Sequence, residues 1–131
     1  MERRAVNPWQ WSVAMGFNQG ELVEGHTRQV FLAGQTAVSA EGEPQHPGDM
    51  AAQIGLALDN VEAVLAGAGM TLANVVRMNI YTTDVDAFLA QYGVAAERLA
   101  AAGVAPASTL LGVARLAFPE LMVELEATAV A

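Results

Sequence analysis

Two carboxylates, Glu124 and Glu126, stand two positions apart in the run Met122-Val123-Glu124-Leu125-Glu126-Ala127. In an extended chain the side chains at i and i+2 share a face and lie about 7 Å apart. A carboxylate so placed can serve as general base on a water molecule. The same spacing matches the pair used by inverting glycosidases, about 6.5–9.5 Å. Any alternating strand with two Glu reproduces that match, so it carries little weight. Other reactive sets are thin. Ser108 needs a nearby base to act as a nucleophile. The two imidazoles, His26 and His46, fall in a Gly25-His26-Thr27 turn and a His46-Pro47-Gly48 loop and read as ordinary loop residues. No close-spaced ligand pair points to a metal, and no cofactor is expected. Cys is absent, which removes thiolate and disulfide chemistry. Lys is absent too, since all six cationic side chains are Arg, and side-chain Schiff bases go with it.

The elements that must position these groups belong to one domain of 131 residues. With 53% hydrophobic residues and a mean hydropathy of +0.32 the chain can build a core. No run approaches the roughly 18 apolar residues of a membrane span, and Met1-Glu2-Arg3-Arg4 leads into no apolar signal segment. A cytoplasmic address is the expectation. The net charge of −8 leaves no basic patch for a run of phosphates, so nucleic acid is not an expected partner, and without an apolar span neither is a membrane.

Glu21–Glu24, a turn, and Gln29–Ala33 predict a hairpin, with Gly34 ending its second strand. Residues 39–48 carry Gly42, Pro44, Pro47 and Gly48 and read as loop. Met50, Ile54, Leu58, Val61 and Leu65 then form one apolar helical stripe, with Asp49 as N-cap and Gly67-Ala68-Gly69 as stop. Residues 75–83 alternate as a strand. Asp84 caps a second helix, whose stripe runs Val85, Phe88, Leu89, Tyr92, Ala96 and Leu99 and which Gly103 and Pro106 close. Strands at 108–115 and 122–130 complete a β-β-α-β-α-β-β order, an α+β fold with helices on one sheet face. Trp9 and Trp11 alternate in an extended segment, packing over the sheet edge or a neighbouring subunit.

On the last strand Leu121, Val123, Leu125 and Ala127 point to the helices, leaving Glu124 and Glu126 opposite, with Met122 and Thr128. Ser108, Leu110, Gly112 and Ala114 share a face on the strand before it. Leu110, Gly112 and Met122 are expected to lie beside the two carboxylates, a face that suits a partly covered surface better than open water, and other subunits are expected to close it.

Several segments resemble the RidA/YjgF family, the reactive-intermediate deaminases. They are Phe31-Leu32-Ala33-Gly34-Gln35-Thr36; Asp49 through Gln53 to Leu58-Asp59-Asn60-Val61; Ala63-Val64-Leu65 with Ala68-Gly69; Val75-Val76-Arg77 to Tyr81-Thr82-Thr83-Asp84; and Pro106-Ala107-Ser108-Thr109 through Val113-Ala114-Arg115 to Val123-Glu124-Leu125-Glu126-Ala127. Their joint order and spacing span roughly residues 16–130. The resemblance implies a chorismate-mutase-like fold, a homotrimer with a central barrel, and small-molecule clefts between subunits. In deaminating members those clefts hydrolyse enamines and imines to a keto acid and ammonia. An Arg in Pro-Ala-Arg-Ser grips the substrate carboxylate, and a Glu on the last strand positions water.

Transferred residue by residue, that Glu is Glu124, while the clamp Arg is Ser108, which cannot pair bidentately with a carboxylate. The family's Ser-Gly pair is Ala33-Gly34, its Tyr near the first hairpin is Phe17, its Asn on the second helix is Tyr92, and a frequent Cys is Leu110. Each has a plainer reading: Glu124 as an interface carboxylate paired with Arg77 or Arg115, Tyr92 and Phe17 as core, Gly34 as a strand terminator. Glu126 reads as an interface or barrel-lining residue. Two functions compete: a deaminase-like hydrolase with altered substrate, and a non-catalytic trimeric module binding metabolites or partners. An endoribonuclease, a name some relatives carry, conflicts with the acidic charge.

Overall fold

The structure, a computed structural model, describes residues 1–131. Its long helix α1, Met50–Gly67, starts where the Asp49 side chain accepts the Ala52 N–H at 3.0 Å. It ends where Gly69, at φ +70°, takes the left-handed turn that frees the chain. The predicted stripe of Met50, Ile54, Leu58, Val61 and Leu65 is buried throughout. Gln53 is buried with it and is fully satisfied. Its amide N–H groups donate to Glu120 O (2.8 Å) and His46 O (3.1 Å), and its Oε1 accepts from Met122 N–H (2.8 Å). That one side chain fixes both loops against the helix.

The remaining strands and α-helices are β1 Glu2–Val6, β2 Gly20–Glu24, β3 Gln29–Phe31, β4 Gln35–Thr36, β5 Val75–Thr82, α2 Val85–Ala90, α3 Gly93–Ala101, β6 Ala107–Gly112 and β7 Val123–Val130, with a 3-10 turn at Leu72–Asn74 leading into β5. The main sheet runs β3-β7-β5-β6, with β4 also on β7. α2 and α3 form the crossover that makes β5 and β6 parallel, while β7 is antiparallel to β5. Phe88, Ile54, Leu58, Leu125 and Val123 are fully buried between helices and sheet. Each large apolar side chain of this kind contributes roughly 1.5–3 kcal/mol.

The predicted hairpin is not formed. β2 pairs with β1, a strand the sequence did not announce, and β3 pairs with β7. The chain after Gly25 is captured by the C-terminus, where Thr27 and Arg28 both donate N–H to Ala131 O (2.9 and 3.0 Å). The β1–β2 ribbon is pinned to the main body by Arg3. Its guanidinium donates to Ala73 O and Val75 O and pairs with Glu21 at 2.9 Å. The second helix is capped by Asp84 as expected, with Ala87 N–H at 3.0 Å, but breaks into α2 and α3 at Gln91-Tyr92. There the bonds tighten to i→i−3, as in Gln91 N–H to Phe88 O at 3.0 Å. Trp9 and Trp11 sit in a turn, not in an extended segment, and both are largely exposed.

Candidate functional site

Strand register decides which candidates can meet. Ser108 and Leu110 on β6 pair with Met78 and Ile80 on β5, whose side chains face the helices. Glu124 and Glu126 on β7 pair with Tyr81 and Asn79, whose side chains face away from them. Leu110 and Gly112 therefore do not share the carboxylate face, and that expectation is corrected. Alternation defines two faces within each strand, but only the pairing says which face of one continues into its neighbour.

On the helix side, Phe17, Tyr92, Ser108 and Leu110 line one cavity of about 570 Å³, roofed by residues 13–17 and walled by α2 and α3. Eleven of the thirteen lining residues are hydrophobic, and none is charged. Phe88 packs on Tyr92 at 5.9 Å between ring centroids, and Trp11 meets Phe17 edge-on at 5.8 Å. Tyr92 is thus both a packing residue and a wall of the cavity. Its hydroxyl donates to Met15 O at 2.9 Å, latching the roof, and burial pushes its ionisation up. The Ser108 hydroxyl donates to Pro106 O at 2.9 Å. Residues 13–16, Ile80, Phe88, Leu89, Ala96 and Ala100 complete the cavity. Residues 13–16 lie in irregular chain, where periodicity gives no signal, and Phe88, Leu89 and Ala96 were legible only as helical stripe.

On the opposite face the remaining predicted residues gather. β4 runs beside β7 with Thr36 opposite Glu124, and the backbone before it brings Gly34 directly against the Glu124 side chain. The N–H groups of Ala33 and Gly34 donate to no atom of the chain. Gly34 has no positive φ, so close approach, not turn geometry, requires glycine here.

The two carboxylates differ sharply. Glu126 Oε1 accepts from Tyr81 Oη (2.6 Å) and Asn79 Nδ2 (2.8 Å), and these bonds, Tyr81's first, hold its carboxyl below the ordinary carboxylate range. The partnership raises Tyr81 in return. Glu124 accepts no hydrogen bond from the chain and pairs with neither Arg77 nor Arg115; Arg77 donates instead to Thr109 Oγ1 at 2.9 Å. Tyr81 and Asn79 were legible only as an alternating strand, and their polarity on the face opposite the helices was the available signal. His26 and His46 lie in loops, and no group of three or more metal-binding side chains exists.

A two-layer α+β chain with these segments has clear relatives. The family described as Endoribonuclease L-PSP matches residues 11–131. Protein DfrA of Myxococcus xanthus is 33% identical over 89 residues, 67% of each chain. The crystal structure of YyfB from Yersinia pestis, of the conserved Rid family, superposes with TM-score 0.86 at 38% identity over the whole of both chains. E. coli TdcF, solved with bound serine, gives TM-score 0.71 at 29% identity over 97% of this chain and 91% of its own. The chain belongs to the RidA/YjgF family and has its fold.

Proposed function

We propose that the chain works as a homotrimer whose inter-subunit clefts hydrolyse imine- or enamine-type metabolites, with Glu124 holding the attacking water and without a carboxylate clamp. The observation that carries this reading is the division of the family's site residues into two half-sites on opposite faces of one sheet. Phe17, Tyr92, Ser108 and Leu110 lie on one face, and Ala33, Gly34 and Glu124 on the other. Halves so separated complete a site only when one copy docks its Glu124 face against the cavity of another. TdcF, whose name is that of a reactive intermediate deaminase and which has been solved with serine, supports a small-molecule ligand of amino-acid size.

Glu124, free of protein donors, accepts a proton from water as the oxygen attacks the imine carbon, forming the C–O bond. The nitrogen takes up a proton from solvent, giving a neutral carbinolamine. Transfer of the Glu124 proton to that nitrogen, with return of the carbinolamine hydroxyl proton to solvent, then lets the C–N bond break, releasing ammonia and the carbonyl product. The free N–H groups of Ala33 and Gly34 are donors for the oxygen on which charge collects. Glu126, already committed to Tyr81 and Asn79, serves the interface.

The test generates imines in situ with an amine oxidase or an amino-acid oxidase and measures accelerated ammonia release. Acceleration lost in Glu124→Gln supports the reading. No acceleration with either source overturns it in favour of a binding module.

A further inference from the structure

Resting on the reading above, we infer that the cavity selects ligands with an apolar body and a neutral or cationic donor group, and rejects carboxylates. The argument is the hydrogen inventory of its wall. Only two side chains there carry hydroxyls, Ser108 and Tyr92, and both hydroxyl protons are already given to backbone carbonyls, Pro106 O and Met15 O. What remains on each oxygen is acceptor capacity. No Arg, Lys or His lines the space. A carboxylate entering it would lose its water and find no side-chain donor and no cation. An N–H or O–H head group would find the lone pairs of Ser108 Oγ.

The volume, about 570 Å³, lies within the range of specific small-molecule sites, roughly 300–1,000 Å³. Phe17, Ile80, Phe88, Leu89 and Leu110 offer an aromatic or branched aliphatic body good contact, with Ala96 and Ala100 leaving the room for it. The carboxylate-bearing face that completes the proposed cleft adds Glu124, a further negative charge against an anionic ligand. The substrate class follows: imines derived from apolar amines that carry no carboxylate, in contrast to imino acids.

Three probes sharing one body separate the alternatives: 2-phenylethanol, 2-phenylethylamine and phenylacetate, titrated by calorimetry into the full-length oligomer. The alcohol and the amine are expected to bind at least about tenfold more tightly than phenylacetate. Ser108→Ala should weaken those two by about fivefold, the share of one neutral hydrogen bond. Ala96→Leu, which fills the cavity, should abolish all three, and Ala100→Leu should do so if the first variant fails to assemble. Phenylacetate binding as tightly as the others, no binding of any probe, or binding unaffected by both filling variants overturns the inference. Failure here leaves Glu124-dependent imine hydrolysis standing. Conversely, the expected probe ranking without Glu124-dependent turnover leaves the pocket's selectivity intact and overturns the catalytic reading.

Discussion

The Glu124 side chain fills the space that a side chain on residue 34 would need. A Cβ placed on Gly34 would overlap Oε1 and lie 2.6 Å from Cδ and 2.9 Å from Cγ of Glu124. The glycine is the floor on which the carboxylate rests, and it leaves the neighbouring N–H groups open beside it. Gly34→Ala is therefore expected to displace the carboxylate without unfolding the chain, because the clash is with a side chain that can swing away. Imine hydrolysis should fall at least about tenfold, within the usual share of a positioned general base. Added to Glu124→Gln, the same change should reduce the rate little further, since both remove one function. Steady-state rates of the two single variants and the double variant check this; independent, additive losses would separate Gly34 from Glu124.

Ser108→Arg would place a guanidinium among the apolar side chains of the cavity, at the position to which the family resemblance assigns a carboxylate clamp. Pyruvate and benzoate should then bind more tightly, by up to one to two decades if a charge-assisted bond worth about 1.5–3 kcal/mol forms. The apolar Phe17 and Leu110 walls make a partial gain the expected result. Adding Glu124→Gln should leave that affinity intact or improved, because a negative charge is gone, while abolishing imine hydrolysis. Calorimetry with both variants decides the matter, provided the oligomer's mass is unchanged. Wild-type turnover of small 2-imino acids equal to that of an arginine-bearing relative would refute the missing-clamp argument.

Tyr81→Phe removes the stronger of two donors to Glu126. The Glu126 carboxyl titrates below its ordinary value of 4.5 in the folded chain. Its partnership therefore stabilises the fold above that value, and the contribution disappears as pH falls through the folded one. Wild type should be more stable than Tyr81→Phe at neutral pH, with the gap closing as the solution is acidified below about 4.5. Melting temperatures across pH 3–7 measure it. A gap that stays constant over that range would show that the loss comes from packing and not from the carboxylate.

Phe31 is 74% exposed and Leu111 is 50% exposed, both on the sheet face that carries Glu124. Such side chains call for cover. Light scattering should give about 41 kDa, three chains of 13.7 kDa. Phe31→Glu should shift the mass toward that of one chain, since burying an unpaired charge at an interface is costly. A monomeric wild type at micromolar concentration would remove the cleft on which the proposed hydrolysis depends.

The sequence alone determined the features that local physics controls. Asp49 and Asp84 cap their helices because a short acceptor side chain reaches the orphan N–H groups two or three residues on. The Met50–Leu65 stripe is buried because its 3.6-residue period allows one apolar face. Glu124 lies opposite the core for the same kind of reason, with a period of two. The ordered family segments, read as a resemblance, supplied the fold and the candidate residues. What only the tertiary structure decided were the long-range pairings. β2 abandons β3 for β1 because Arg3 and the C-terminal carbonyl of Ala131 offer partners about 70 and 100 residues away, which no window of sequence displays. The parallel register of β5 and β6 turns Ser108 and Leu110 toward the helices, while the antiparallel register of β7 turns Glu124 away. A shift of one residue in either pairing would have put them together. That relation of register, set by hydrogen bonds between distant strands, is what divides the candidate site into two halves.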